Sequence, residues 1–361
     1  MVLNIKRKLL IGASLAASIS AIASSPAFAS GLTRTTDIQF FTNDTQHQST
    51  DKPNIGTWTF DGTKPAEYDS SGIGGVNRQK LNDITKNNIN KAISALTDNS
   101  SATNVELFTN GEIVVDHVGF TGKLGKNTIK VESVTKADWA DGKLANSWLT
   151  GFRNTYGSLM SSIPTTPGSN MLKDFNNNYS AIIGHLNTNG FNTAGDPNIG
   201  DVTYDETTGK LQVDLVGHLD IAGKYVDTRQ KVKQGNNMVN NSNYLKTSPD
   251  FARNSTGNQI FDAMLFNLAK TAFLTNTKFQ MSEIAKITFN GETDYAFNFV
   301  ATDSGAIAGD RNLTTDTTSH TGIYSWNKTV KDVPEPSALA GLMVLGGMVT
   351  IKLQKMKMTK A

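Results

Sequence analysis

Asp214, His218 and Asp220 are the residues whose types and spacing come nearest to a site. They follow the turn-rich Thr207-Thr208-Gly209. On a strand of period two, Leu211, Val213, Leu215, Leu219 and Ile221 point one way and the three polar side chains point the other. Two carboxylates and an imidazole on one face have the chemistry to bind a cation or a cluster of sugar hydroxyls. A polar sheet face turned to water explains the same pattern with no activity, and it is the reading favoured here. Asp303, Asp310 and Asp316 lie in a Gly- and Thr-rich stretch and offer oxygen ligands to calcium, but they lack the D-x-D-x-D-G spacing of a calcium loop. Of the four tryptophans, Trp148 falls in a helical apolar stripe and Trp139 just precedes it, which makes both core residues. Trp58 and Trp326 are the candidates for a surface platform that stacks on glycans.

Other chemistry is sparse. His47, His117, His185, His218 and His320 are scattered, with no H-E-x-x-H pair. No G-x-S-x-G elbow, P-loop or dinucleotide fingerprint occurs. Ser133-Val134-Thr135-Lys136 and Ser325-Trp326-Asn327-Lys328 fit S-x-x-K without the companion motifs of penicillin-binding enzymes. The chain has 0 Cys, which excludes disulfides, thiolate zinc sites, cysteine nucleophiles and a lipidated Cys anchor. The expectation is therefore a non-enzymatic protein that needs no cofactor. An enzyme whose acids converge from distant segments stays open, because one sequence does not display such a site.

The elements that would position these groups are of both kinds. Leu81, Ile84, Ile89, Ala92, Ile93 and Leu96 recur at helical spacing and predict a helix over 78–96. Leu144, Trp148, Phe152 and Tyr156 predict a second helix. Leu172, Phe175, Tyr179, Ile182, Ile183 and Leu186 predict a third, and Phe261, Met264, Leu265, Leu268 and Ala272 a fourth. Between them, 202–221 reads as a hairpin about Tyr204–Lys210, and 284–299 as a hairpin about Asn290-Gly291. Stretches 112–120 and 128–134 read as a further strand pair, while the Asn-rich 227–259 reads as a long exposed loop. The expected fold class is α+β, with several amphipathic helices packed on mainly antiparallel β-sheet.

The ends say where the protein goes. Lys6-Arg7-Lys8, an apolar run from Leu9 to about Ile22, and Ala27-Phe28-Ala29 before Ser30 form a secretory signal peptide over 1–29. Signal peptidase should cut after Ala29, its small-residue subsites taking Ala27 and Ala29, so the exported body spans 30–332. At the other end Val333-Pro334-Glu335-Pro336-Ser337 precedes an uncharged run from Ala338 to Ile351 and then Lys352, Lys355, Lys357 and Lys360. A helix over that run would be roughly 21 Å long against a hydrocarbon core of about 30 Å, which suits a temporary hold. The lysines stay cytoplasmic by the positive-inside rule, leaving Pro-Glu-Pro just outside the membrane. The formal charge of +2 is itself a product of the ends. Taking away the three bases of 1–29 and the four of 337–361, neither stretch holding an acid, turns it into −5. That mild acidity argues against nucleic-acid binding.

This three-part tail, 333–361, resembles the PEP-CTERM sorting domain, in which Val-Pro-Glu-Pro precedes a short transmembrane helix and a basic cluster. Its cluster is of spaced Lys in place of an Arg run. The resemblance implies recognition of Pro334, Glu335 and Pro336 by an exosortase-type membrane protease, transient residence in the inner membrane, and a final place at the cell surface or outside it. Asp196-Pro197-Asn198-Ile199, Gly217-His218-Leu219-Asp220, Ser282-Glu283-Ile284 through Asn290-Gly291-Glu292, and Ser319-His320-Thr321-Gly322 together resemble a recurrent type of exported PEP-CTERM protein in cyanobacteria. That second resemblance implies a Gram-negative photosynthetic host and transfers no catalytic residue. The expected function is an exported envelope or extracellular-matrix protein associated with exopolysaccharide; the alternative is an exported carbohydrate-active or calcium-dependent glycan-binding domain.

Overall fold

The structure, a computed structural model, describes residues 31–42, 54–60, 67–69, 77–82, 84–108, 117–191, 194–227, 231–234, 237–240, 245–308 and 320–330. The signal peptide and the sorting tail lie outside them. Its strands are β1 (Leu32–Thr42), β2 (Ile55–Trp58), β3 (Glu67–Asp69), β4 (Asn77–Leu81), β5 (Thr85–Lys86), β6 (Asn104–Leu107), β7 (Val118–Leu124) and β8 (Asn127–Ser133). They continue as β9 (Asn198–Asp205), β10 (Lys210–Gly217), β11 (Val226–Asp227), β12 (Lys231–Gln234), β13 (Asn237–Asn240) and β14 (Lys246–Thr247). The last are β15 (Ala285–Phe289), β16 (Glu292–Ala296), β17 (Thr302–Asp303), β18 (Ala306–Ala308) and β19 (Gly322–Thr329). The helices are α1 (Ile89–Thr97), α2 (Lys136–Trp139), α3 (Lys143–Ser162), α4 (Met171–Asn189), α5 (Ala222–Tyr225), α6 (Phe251–Asn254) and α7 (Gln259–Leu274).

The abundance of Asn has a local use. Asn88, Asn170 and Asn258 each cap a helix, their side-chain oxygens accepting from the backbone N–H of Lys91, Lys173 and Phe261 at 3.0 Å. Asn87, Asn99, Asn276 and Asn290 take the left-handed conformation that Asn tolerates best after Gly.

Two layers of sheet share β1. One runs β5-β2-β6-β9-β10-β19-β17 and the other β1-β7-β8-β15-β16. Residues 32–34 of β1 pair with β9 and the strand pairs with β7 from Thr35 to Thr42, with a register irregularity between Thr36 and Gln39, where Asp37 has φ 52. A bulge of this kind bends the strand and increases its local twist. Between the layers lie Val105, Ile199, Val213, Leu215 and Tyr324 from the first and Phe120, Val131, Ile287 and Phe289 from the second, with Ala92, Ala95 and Leu96 of α1 closing the side. Each Leu, Ile or Phe fully buried there stabilises by about 1.5–3 kcal/mol. A second core gathers Trp148, Phe152, Tyr156, Phe175, Ile182, Phe261, Leu265 and Phe279 from α3, α4, α7 and the segment after α7. Trp139 and Trp148 are core residues, each 1% exposed or less.

The class is α+β with a mainly antiparallel sheet, as expected, and no helix among the described residues is long and apolar enough to cross a membrane. The hairpins about 206–209 and Asn290-Gly291 form, as do the three later helices. The third strand pair forms as β7 with β8, starting later than read; 109–116 are outside the described residues.

Three expectations are corrected. The helix over 78–96 is only α1, preceded by β4 and β5, because Asn82 binds Thr59 through both backbone and side chain and Asn87 turns the chain before Asn88 caps the helix. The stretch 227–259 holds the ribbons β11–β14 and β12–β13 and helix α6, so its described part is not a bare loop. Trp326 is less open than a surface platform requires: it is partly buried and packs against the core between the two layers.

Candidate functional site

The period of two that grouped Asp214, His218 and Asp220 stops where β10 ends at Gly217, so the three reach different surroundings. Asp214 is 5% exposed and accepts from Ser101 Oγ at 2.7 Å and Gln212 Nε2 at 3.1 Å. His218 lines a cavity of about 40 Å³ with Lys224, Asn254, Ser282 and Glu283. Asp220 accepts from the backbone N–H of Ala222 at 2.9 Å and of Phe279 at 3.2 Å, fastening the start of α5 to the strap after α7. Burial raises its carboxyl above the usual range, against these two hydrogen bonds. A polar face looking at water is thus corrected at Asp214. Among the described residues no group of three or more His, Asp or Glu could hold a metal ion. Asp303 is engaged by Arg78 at 2.7 Å, and Asp310 and Asp316 lie outside the described residues. Ser133 Oγ accepts from the buried Val118 N–H at 2.9 Å, a structural role.

The structure does bring together the separated stretches that the sequence singled out. Thr321 Oγ1 accepts from Leu219 N at 2.9 Å, Tyr324 OH donates to His218 O at 2.5 Å, and Met281 N donates to Tyr324 OH at 3.1 Å. Gly322 suits the close approach there, since a Cβ would lie 3.0 Å from Leu219 Cα, tighter than ordinary contact.

Beside this junction, on the outer face of the first sheet, stands a chain of polar side chains. Asn198 Nδ2 donates to Asn104 Oδ1 at 2.8 Å, and Asn104 Nδ2 lies 3.0 Å from His320 Nδ1. The His320 and Trp58 rings stand 4.4 Å apart, and Trp58 Nε1 donates to Glu106 Oε2 at 3.3 Å. Register explains the grouping. Trp58 is opposite Asn104, while Lys86, Gly56, Glu106 and Asn198 form one row across β5, β2, β6 and β9. In β6 the alternation turns Val105 and Leu107 to the core between the layers and Asn104 and Glu106 to the opposite face, where Asn104 is fully buried.

The environment sets the protonation states. His320 is 2% exposed, with φ 75, and burial pushes its imidazole down to about 3, so it is neutral; Asn104 donating to Nδ1 leaves the proton on Nε2. Burial pushes the Glu106 carboxyl up to about 7, with the Asp196 charge adding to the rise and Trp58 and Lys86 opposing it. Gly56 opposite Glu106 leaves the space that Ile84 and Phe108 fill, which accounts for part of that desolvation. Near neutral pH Glu106 therefore both donates and accepts, beside the indole N–H of Trp58. That set of groups suits hydroxyls of a polyol better than a cation.

No family model, curated protein or solved structure matches the chain. Sequence reading found Trp58 but missed its partners, because His320 is more than 260 residues away and Glu106 more than 40. The signal available for Glu106 was the alternation Asn104-Val105-Glu106-Leu107.

Proposed function

We propose that this protein is an exported envelope or matrix protein. In this reading a signal peptide ending at Ala29 delivers it, and an exosortase-type protease that reads Val333-Pro334-Glu335-Pro336-Ser337 sorts it. The observation that carries the reading is the order of motif, apolar run from Ala338 to Ile351, and Lys352, Lys355, Lys357 and Lys360. The fold is consistent with it: β1 begins at Leu32, shortly after Ser30, and β19 ends at Thr329, shortly before Val333, so the described sheets lie between the two signals. The membrane holds the precursor only until the tail is cut, after which the body belongs to the cell surface or the medium. Replacing Pro334, Glu335 and Pro336 by Ala should leave full-length protein in the inner membrane, and deleting 337–361 should release it to the periplasm. Fractionation with mass spectrometry of both termini reads the outcome. Wild-type protein that leaves the inner membrane still ending at Ala361 sinks the reading.

A second reading, binding of exopolysaccharide, is favoured by the Trp58–Glu106–Asn198 group. The plain test is cosedimentation of the purified body with exopolysaccharide from the producing cells, comparing wild type with Trp58→Ala and Glu106→Gln. Loss in both variants supports the site, and undiminished binding removes it.

A further inference from the structure

Both ends of the described chain are tied to one turn. Gly31 O accepts from Glu206 N at 2.9 Å, and Val330 N donates to Gly209 O at 2.9 Å; these residues bracket the β9–β10 turn. In the strand register Leu32, Asp205, Lys210 and Thr329 form one row, so the two ends stand three strand spacings, about 14 Å, apart. The other tight turns lie at this same end. A Cβ on Gly125, in the β7–β8 turn, would meet Glu206 Oε1, and Asn290 of the β15–β16 turn donates from Nδ2 to Asn127 Oδ1 at 2.9 Å. The opposite end is capped by helices. Val134, Ile221, Ile284 and Phe299, each just beyond a strand end on that side, belong to the core of α3, α4 and α7.

We propose that the membrane-anchored precursor stands on this turn end, with the helical cap and the Trp58–Glu106–His320 group on the end turned away from the bilayer. The inference rests on the sorting reading above and adds a direction to it. Reach decides the direction. From Val330 to Ala338, the first residue of the apolar run, are eight residue steps, which span at most about 28 Å. The eight residues of β10 separate the two ends of the sheet by about 23 Å, and a layer of helices adds about 10 Å. An inverted body would need roughly 33 Å of tether, more than the chain provides. The consequence is functional: a partner approaching from outside meets the helical cap and the sheet end that carries Trp58 and Glu106 first, and the turn end faces lipid headgroups.

The chain has 0 Cys, so single cysteines report position cleanly. Lys126→Cys and Lys210→Cys place a dye at the turn end, and Ser180→Cys and Ala263→Cys place it on the cap; all four positions are exposed. Each full-chain precursor is reconstituted into phosphatidylethanolamine–phosphatidylglycerol vesicles with acceptor dye on a fraction of the headgroups, floated on a gradient, and read by energy transfer. High transfer from Lys126→Cys and Lys210→Cys, with loss of transfer from Ser180→Cys and Ala263→Cys, supports the proposal. Equal or reversed transfer in chains that float overturns the orientation alone. Chains that fail to float overturn the anchoring reading, and the orientation with it.

Discussion

Asp201 and Asp214 face one another across β9 and β10, 8% and 5% exposed. Two carboxylates so placed repel unless each is satisfied elsewhere. Arg34 takes Asp201 at 3.1 Å, while Ser101 and Gln212 take Asp214. Removing the acceptor at 214 with Asp214→Ala should cost about 1–3 kcal/mol in urea unfolding, since Ser101 and Gln212 lose a buried partner. Asp214→Asn keeps one carbonyl oxygen and should cost clearly less. Equal costs would show that hydrogen bonding to Asp214 is not what matters.

Gly200 should tolerate no side chain. A Cβ there would lie 2.4 Å from Ser101 O, a backbone atom of the loop that crosses β9. Gly200→Ala must lift that loop and loosen the Ser101–Asp214 bond, for a loss of about 1–3 kcal/mol. Combined with Asp214→Ala, its effect should be less than additive, because both changes release the same loop. Full additivity in the unfolding midpoints would refute the shared mechanism.

Glu106 gives the fold a pH dependence near neutrality. Its folded value, about 7, stands above the 4.5 of an ordinary glutamate. The folded protein therefore holds this proton more tightly than the unfolded chain does. The resulting stability is fully present below about pH 4.3 and is lost as pH rises through 7. The whole contribution is on the order of 3 kcal/mol. Glu106→Gln, neutral throughout, should remove this part of the slope between pH 4.5 and 8, so that the two stability curves diverge by an amount that changes with pH. Parallel curves from chemical denaturation at a series of pH values would show that Glu106 titrates normally.

The helical core was legible because it is periodic: Trp148, Phe152 and Tyr156 sit one turn apart and are all buried. The hairpins were legible because Asn290-Gly291 and Thr208-Gly209 name their turns. What failed were judgements that depend on distant pairing. Arg78 to Leu81 carries helical spacing, yet it is drawn into a strand by Ala306–Ala308, more than 200 residues away. The same holds for the candidate site. Asp214, His218 and Asp220 are close in sequence but engage different partners, whereas Trp58, Glu106 and His320 are distant in sequence and joined through the sheet register.

In the small sheet β3-β4-β18, Arg78 of β4 meets Asp303 of β17. Arg78 is fully buried, and its guanidinium forks onto Asp303 Oδ1 and Oδ2 at 2.7 and 2.8 Å. Asp303 is 40% exposed at its side chain, so water screens the carboxylate but not the cation. Among the described residues Arg78 Nε has no partner, and Asp303 is the acid paired with the guanidinium. Asp303→Ala should therefore destabilise by about 2–4 kcal/mol, most of it the cost of a buried unpaired charge. Arg78→Met in the same chain removes that charge and fills the space with an apolar side chain, so the double variant should recover a large part of the loss. A pair that merely decorated the surface would give a cost near zero for Asp303→Ala and no recovery. Urea unfolding of the two single variants and the double variant distinguishes the cases. If the double variant is no more stable than Asp303→Ala alone, Arg78 is held by something other than Asp303.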